Sequence, residues 1–503
     1  MKYFRLDIYS HYFKISEYTR EVRGVLNMMF KHLKHYQYAR GNTNPIIKSY
    51  YSEKADHSEF RFNINTLPYF YEMLTQNGIN DGNYVSMTHY PSLGVAIDVN
   101  LAEGWKPRES QVPIIEYFLR EDEPHTFLPL ETGGGKTFSS MAAITQIKRR
   151  TMIVLKPTFI DKWVKDIQVL TDCDPMDIMV VKGGDNLRAI ISLAIADQLS
   201  VKFIIISNKT LYNYVKEYNN TINFEETGYG CKPDELYETL GIGVKLIDEV
   251  HLDFYTSFIL DLYVNVARSI SLSATLISRD DFLNRMYKLA YPINKRFVVK
   301  ATSPYIDITA VDYTVNSSYH LPITEYGSKN YSHHVYERAM CKSYRLRNDY
   351  FSMIADVLYE GYEKDYVLGE KAIIFVISVK VCSELAEYIQ HRYPDMRVSR
   401  YIAEDDYDEM LSSDIIISTP QNLGTGMDIP SLKTVINSVN IDSIQSNIQI
   451  VGRLRKRDNL PTRYYYLYNS KIDKHKRYHI RRKELLMSKA KSFVELAYSK
   501  QLG

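Results

Sequence analysis

Four short apolar runs between Thr151 and Leu276, TMIVLKPT, VKFIIISN, GVKLIDEVH and SISLSATL, limit the fold more than any other feature of the chain. Each is too short for a buried helix and lacks the strict polar alternation of a half-exposed strand, so it reads as a strand covered on both faces. Between them lie mixed stretches such as FIDKWVKDIQVLTD, with apolar residues at helical spacing. Buried strands alternating with helices make a parallel sheet. The same grammar returns from Lys371 in KAIIFVISV, VCSELAEYIQHRY, DIIISTP, KTVINSV and RYYYLY. The economical architecture is α/β, with two parallel-sheet domains in tandem.

The flanks read differently. HVYERAMCKSYRLRNDYFSMIADVLYEGYEK, before the second group of strands, has helical spacing and no strand-like run, so one or two helices are expected there. The first 61 residues interleave aromatic and basic side chains, with 11 Lys/Arg against 6 Asp/Glu, and include a strand-like EFRFNI. They suggest a small N-terminal α+β domain that could contact nucleic acid or simply present a solvated positive face. KIDKHKRYHIRRK, from Lys471 to Lys483, holds seven Lys/Arg and one Asp and reads as a basic helix. The expected domains are 1–95, 96–300, 301–470 and 471–503, which suits a chain of 503 residues.

Composition narrows the partners. A formal net charge of +2 argues for neither a nucleic-acid nor a membrane partner, so any basic surface has to be local. Cys173, Cys231, Cys341 and Cys382 are far apart with no C-x-x-C pair, which disfavours a zinc site or a disulfide framework and fits a reducing cytoplasm. MKYFRLDIYSHYFK lacks the apolar run of a signal peptide, and no segment approaches the roughly 18 apolar residues of a membrane span. The 43 tyrosines are spread along the whole chain, a compositional habit more than a stacking platform.

Chemistry concentrates first in LPLETGGGKTFSSMAA. Glycines let backbone N–H groups close on phosphate oxygens, Lys136 would neutralise them, and the Thr137 hydroxyl would ligate Mg²⁺. The first glycine of G-x-x-x-x-G-K-[ST] is missing, because Leu130 stands in its place. Nucleoside triphosphate hydrolysis also needs acids that hold the metal and polarise the attacking water. KLIDEVH provides them: Asp248 and Glu249 follow an apolar strand, where α/β sheets present ligand groups. In the second half, a glycine turn ending at Asp428 is followed by Gln449, Gly452 and the cations Arg453, Arg455, Lys456 and Arg457. A small-molecule kinase has no need of these distant arginines, whereas an arginine delivered across a cleft links hydrolysis to closure.

Taken in order, these segments make the chain resemble the superfamily 2 helicases and translocases of DExH type. RESQ lies upstream, ETGGGKT matches motif I, VLKPT motif Ia, SNKTL the region of Ib, DEVH motif II, SAT motif III, IIFV motif IV, STPQNLGTGMD motif V and QIVGR motif VI, over Arg108 to Arg457. The small N-terminal domain, the RLRN stretch and the basic C-terminal helix are similar to the UvsW-type phage helicases, which are RecG-like. The resemblance implies two tandem RecA-like domains with a small N-terminal α+β domain and a C-terminal helical extension. It implies ATP and Mg²⁺ as cofactors. Arg108 and Gln111 would recognise adenine; Thr132, Gly133, Gly134, Gly135, Lys136 and Thr137 would cradle the phosphates; Gly426 and Asp428 would complete the nucleotide site. Thr137 and Asp248 would hold the metal, Glu249 would act as general base, and His251 would connect the site to motif III or VI. Ser273 and Thr275 would couple hydrolysis to movement. Gln449 and Arg453 would reach the γ-phosphate. The family pattern Q-x-x-G-R-x-x-R puts its last arginine at Lys456 here, so Arg455 is the expected second finger. Pro157, Thr158, Ser207, Thr210 and Thr419 would lie along the nucleic-acid backbone, contacts that position a strand without reading its sequence.

The expected activity is ATP-dependent remodelling of branched DNA, including forks, recombination intermediates and R-loops that carry RNA. Replication or recombination proteins would be partners, the setting the cytoplasm of a phage-infected host, and no membrane would be involved. The alternatives are a DExH RNA helicase, the motor subunit of a nuclease complex, and a nucleic-acid binder with a decayed ATPase.

Overall fold

The computed structural model describes residues 2–37, 45–91, 93–130, 134–274, 276–278, 280–298, 304–325, 330–402, 405–423, 429–457 and 461–503. The chain forms two compact units, one of residues 1–130 with 134–299 and the other of residues 300–503.

In the first unit, a six-stranded parallel sheet runs in the order Ile178–Val181, Phe203–Ser207, Thr151–Leu155, Val244–Ile247, Arg268–Ser273, His125–Pro129. Thr151–Leu155, Phe203–Ser207 and Val244–Ile247 are buried at every position, as expected for strands with helices on both faces. The edge strands His125–Pro129 and Ile178–Val181 are only partly buried. Because the strands are parallel, their C-terminal ends share one rim, where the glycine turn, the turn after Leu155 and Asp248 all emerge.

The N-terminal residues of this unit make a mixed sheet ordered Ser52–Glu53, Glu59–Asn63, Tyr12–Ser16, Phe4–Ile8, Tyr84–Thr88, in which only the last pair is parallel. Helices Arg20–Leu33 and Leu67–Gln76 cover it. The α+β domain shares a continuous apolar core with the first parallel-sheet domain. Arg61, fully buried, donates to Asp234 Oδ1 at 2.9 Å and Oδ2 at 2.8 Å and lies 2.8 Å from Glu59 Oε2. It is therefore an anchor between the two layers and not part of a basic surface.

The second unit carries a seven-stranded, wholly parallel sheet ordered Val398–Tyr401, Ile415–Ser418, Lys371–Phe375, Leu432–Asn437, Thr462–Tyr468, Ile306–Asp312, Ala490–Ala497. The stretch expected to hold one or two helices forms two, His333–Met340 and Tyr344–Gly361. The basic C-terminal stretch forms the helix Asp473–Leu486, and the chain then returns as the edge strand Ala490–Ala497, an element not expected from its amino acids. Within that helix Arg482 is buried, donating to Asn447 Oδ1 and to the Val439 carbonyl, both at 2.9 Å. Arg481 and Lys483 pair with Asp442 and Glu495, so the cations left to solvent are chiefly Lys471, Lys476 and Arg477. No helix among the described residues is long and apolar enough to cross a membrane.

Candidate nucleotide site

The site is built at the C-terminal rim of the first parallel sheet. After His125–Pro129, Leu130 N–H donates to the Ser273 carbonyl at 2.9 Å, which ties the start of the glycine turn to the end of a neighbouring strand. Gly135 has φ +87° and caps the helix Lys136–Ile147; a Cβ there would stand 2.3 Å from Gln111 Nε2. That conformation favours glycine, and a side chain there would have to displace the Gln111 amide. Thr132 and Gly133 lie outside the described residues. Lys136 opens the helix, where backbone N–H groups and the helix dipole favour an anion. Its Nζ donates to Glu249 Oε1 at 2.9 Å, with both side chains buried. Thr137 follows on the same first turn.

Val244–Ile247 delivers the acids. Glu249 adopts φ +51°, and its N–H donates to Asp248 Oδ1 at 2.8 Å. Asp248 Oδ2 accepts from the Trp163 indole at 3.0 Å. Burial pushes the Asp248 carboxyl above the usual carboxylate range, the Glu249 charge adds to this, and Lys136 opposes it. Glu249 Oε2 lies 3.2 Å from His251 Nδ1, but that nitrogen is engaged with Ser273 Oγ at 2.8 Å, and Oε2 is buried without a hydrogen bond among the described residues. Burial, reinforced by the Lys136 charge, lowers the His251 pKa to about 3, so the imidazole is neutral.

Gln111 is buried beside the turn, its Oε1 accepting from Arg108 N–H at 2.9 Å, while the Arg108 side chain is exposed. The structure thus gathers Gln111, Gly134, Gly135, Lys136, Asp248, Glu249, His251 and Ser273. Thr275 lies outside the described residues. Pro157 and Thr158 are exposed on the turn after Thr151–Leu155. Ser207 and Thr210 are buried, and Thr210 Oγ1 accepts from Gly183 N–H at 2.9 Å. The Thr210 hydroxyl braces that turn.

The second unit holds the remaining residues. Gln449 is half-buried on the helix Ile444–Val451, and Arg453, just beyond it, is buried. Arg455 Nη1 donates to the Gly452 carbonyl at 2.6 Å, Lys456 is exposed, and Arg457 pairs with Glu370 at 3.2 Å. Thr419 is buried after the strand Ile415–Ser418, and Gly426 and Asp428 lie outside the described residues.

The first-unit residues suit a magnesium nucleotide. Lys136 bonds to one of two adjacent acids, and the buried Glu249 Oε2 makes no hydrogen bond among the described residues. Thr137 and Asp248 offer oxygen donors of the kind Mg²⁺ selects. Among the described residues, no group of three His, Cys, Asp or Glu is placed to hold a metal. Trp163 could not be singled out from the sequence, because its place among the apolar positions of the helix Ile160–Leu170 marks it only as core.

Residues 104–278 match the family model of the type III restriction enzyme res subunit. A search of curated proteins returns no match. Among solved structures the chain is similar to S. cerevisiae Dbp5 bound to RNA and ADP BeF3, with 11% identity, 78% of this chain and 91% of that one covered, and a TM-score of 0.51. It also aligns with T4 UvsW at 13% identity over 99% of each chain, TM-score 0.34. A DEAD box protein from Methanococcus jannaschii aligns at 16% identity over 78% of this chain and 93% of that one, TM-score 0.41. The family match spans the gathered nucleotide residues of the first unit, and the two parallel-sheet domains in tandem share the fold of the Dbp5 structure.

Proposed function

We propose that the chain is an ATP-dependent DNA helicase or translocase that remodels branched DNA, such as forks, recombination intermediates and R-loops. The observation that carries the catalytic part is the buried Lys136–Glu249 pair with Glu249 Oε2 left without a hydrogen bond. Lys136 leaves Glu249 for the nucleotide phosphates, which frees the carboxylate to take a proton from the attacking water. Neutral His251 lies beside Glu249 and is hydrogen-bonded to Ser273 Oγ, and the Ser273 carbonyl holds the start of the glycine turn. Thr137 and Asp248 would hold Mg²⁺, which would supply charge neutralisation at the nucleotide phosphates. Arg108 and Gln111 recognise adenine; Gln449, Arg453 and Arg455 serve the γ-phosphate from the second domain.

DNA is the favoured track because the N-terminal α+β domain is anchored on the first sheet domain while Lys2, Arg20 and Lys31 remain exposed. Pro157 and Thr158, exposed on the first sheet domain, would contact the nucleic-acid backbone. The setting is an infected host's cytoplasm, beside replication or recombination proteins. The match to a restriction-enzyme subunit favours a second reading, the motor of a nuclease complex. Strand displacement on a DNA fork, a linear duplex, an R-loop and an RNA duplex distinguishes these readings. The fork and the R-loop should be opened fastest. Preference for the RNA duplex overturns the DNA reading, and cleaved strands establish the nuclease motor.

A further inference from the structure

The helix Ile160–Leu170 turns Ile160, Trp163, Ile167 and Leu170 inward, and Trp163 is wholly buried. Packing alone would leave its indole N–H unsatisfied, yet it donates to Asp248 Oδ2 at 3.0 Å. The other oxygen of that carboxylate accepts from Glu249 N–H at 2.8 Å. The two bonds, one to a side chain and one to backbone, fix the plane of the carboxylate. An indole donates and cannot accept, and it carries no charge. It therefore orients Asp248 without neutralising it, whereas a lysine in the same place would compete with a bound cation. The nearest lysine of the site is committed elsewhere, Lys136 Nζ being bonded to Glu249.

We infer that Trp163 is a positioning residue that aims Asp248 at the cation of the bound nucleotide. This rests on the reading of Asp248 as the metal-holding acid. Trp163 also lies one turn after Pro157–Phe159, so the helix that begins at the exposed turn carries the donor that orients Asp248.

The test is Trp163→Phe, which keeps an aromatic ring in the core and deletes the donor. Binding of a fluorescent ADP analogue is measured as Mg²⁺ is titrated, and again with the metal chelated. The Mg²⁺ concentration for half-maximal enhancement should rise by roughly tenfold, the scale of one hydrogen bond to a charged group, while metal-free binding stays unchanged. A merely structural role would weaken both alike. As a second measurement, Trp105→Phe leaves Trp163 as the sole tryptophan, since the chain has 2. Its emission should shift with ADP plus Mg²⁺ and not with ADP plus chelator. Equal Mg²⁺ dependence in Trp163→Phe and the parent, or an emission blind to Mg²⁺, overturns the inference and leaves the nucleotide site standing. Failure of the parent to bind the nucleotide at all removes both.

Discussion

Lys136 Nζ and Glu249 Oε1 stand 2.9 Å apart, each side chain 8% exposed. Removing one partner leaves a buried, uncompensated charge, a change that costs about 3–5 kcal/mol. Lys136→Ala should therefore lose stability as well as hydrolysis. Lys136→Met with Glu249→Gln should recover most of the stability and none of the hydrolysis. Thermal unfolding beside ATP turnover checks this; a Lys136→Ala protein as stable as the parent would show that the pair is not buried in solution.

Gly135→Ala tests the cradle. Its φ of +87° disfavours a side chain, and the added Cβ meets Gln111 Nε2 at 2.3 Å. Gln111 can be pushed aside, so the global fold should survive with a loss of about 1–2 kcal/mol. Nucleotide binding by calorimetry should weaken by more than that strain explains, and unchanged affinity would mean that the turn does not close on phosphate.

The basic C-terminal helix separates into two kinds of cation. Arg482→Gln should destabilise the protein by about 2–3 kcal/mol, because its guanidinium is buried and bonded to Asn447 and Val439. Lys476→Gln with Arg477→Gln should leave unfolding unchanged. It should also lower the slope of log affinity for duplex DNA against log salt by about 0.9 for each phosphate no longer neutralised. An unchanged slope makes this helix a solvated face.

Glu337 gives a pH signature. It is buried, accepts N–H bonds from Ile377 and Ser378, and burial pushes its carboxyl from an ordinary 4.5 to about 7 despite those bonds. The native state holds this proton more tightly than the unfolded chain, so the stability it contributes is present at low pH. It is lost as pH rises from the unfolded value through about 7. Glu337→Gln keeps an acceptor and cannot ionise. Between about pH 5 and pH 8 the parent should lose roughly 1–3 kcal/mol relative to the variant, read by chemical unfolding at each pH. Parallel profiles would contradict the buried acid.

The central strands of both sheets were legible because burial on two faces writes an uninterrupted apolar run, as in Ile415–Ser418. Ile306–Asp312, with alternating burial, and the edge strand Ala490–Ala497, mostly exposed, write no such run. Lys136, Asp248 and Glu249 were legible from local motifs. Arg61 and Arg482 were misread as surface charge because their partners are remote in sequence; Asp234 lies 173 positions from Arg61. The Trp163–Asp248 bond, spanning 85 positions, was hidden for the same reason.

The most direct test is steady-state ATP hydrolysis by the parent and Glu249→Gln, each without nucleic acid and with forked DNA, linear duplex, single-stranded DNA and RNA. The expected result is hydrolysis stimulated by DNA, most by the fork, and reduced about 10²–10⁴-fold in Glu249→Gln. Hydrolysis that no nucleic acid accelerates, or a Glu249→Gln protein that retains more than about a tenth of the parent rate, would contradict a nucleic-acid motor driven from this site.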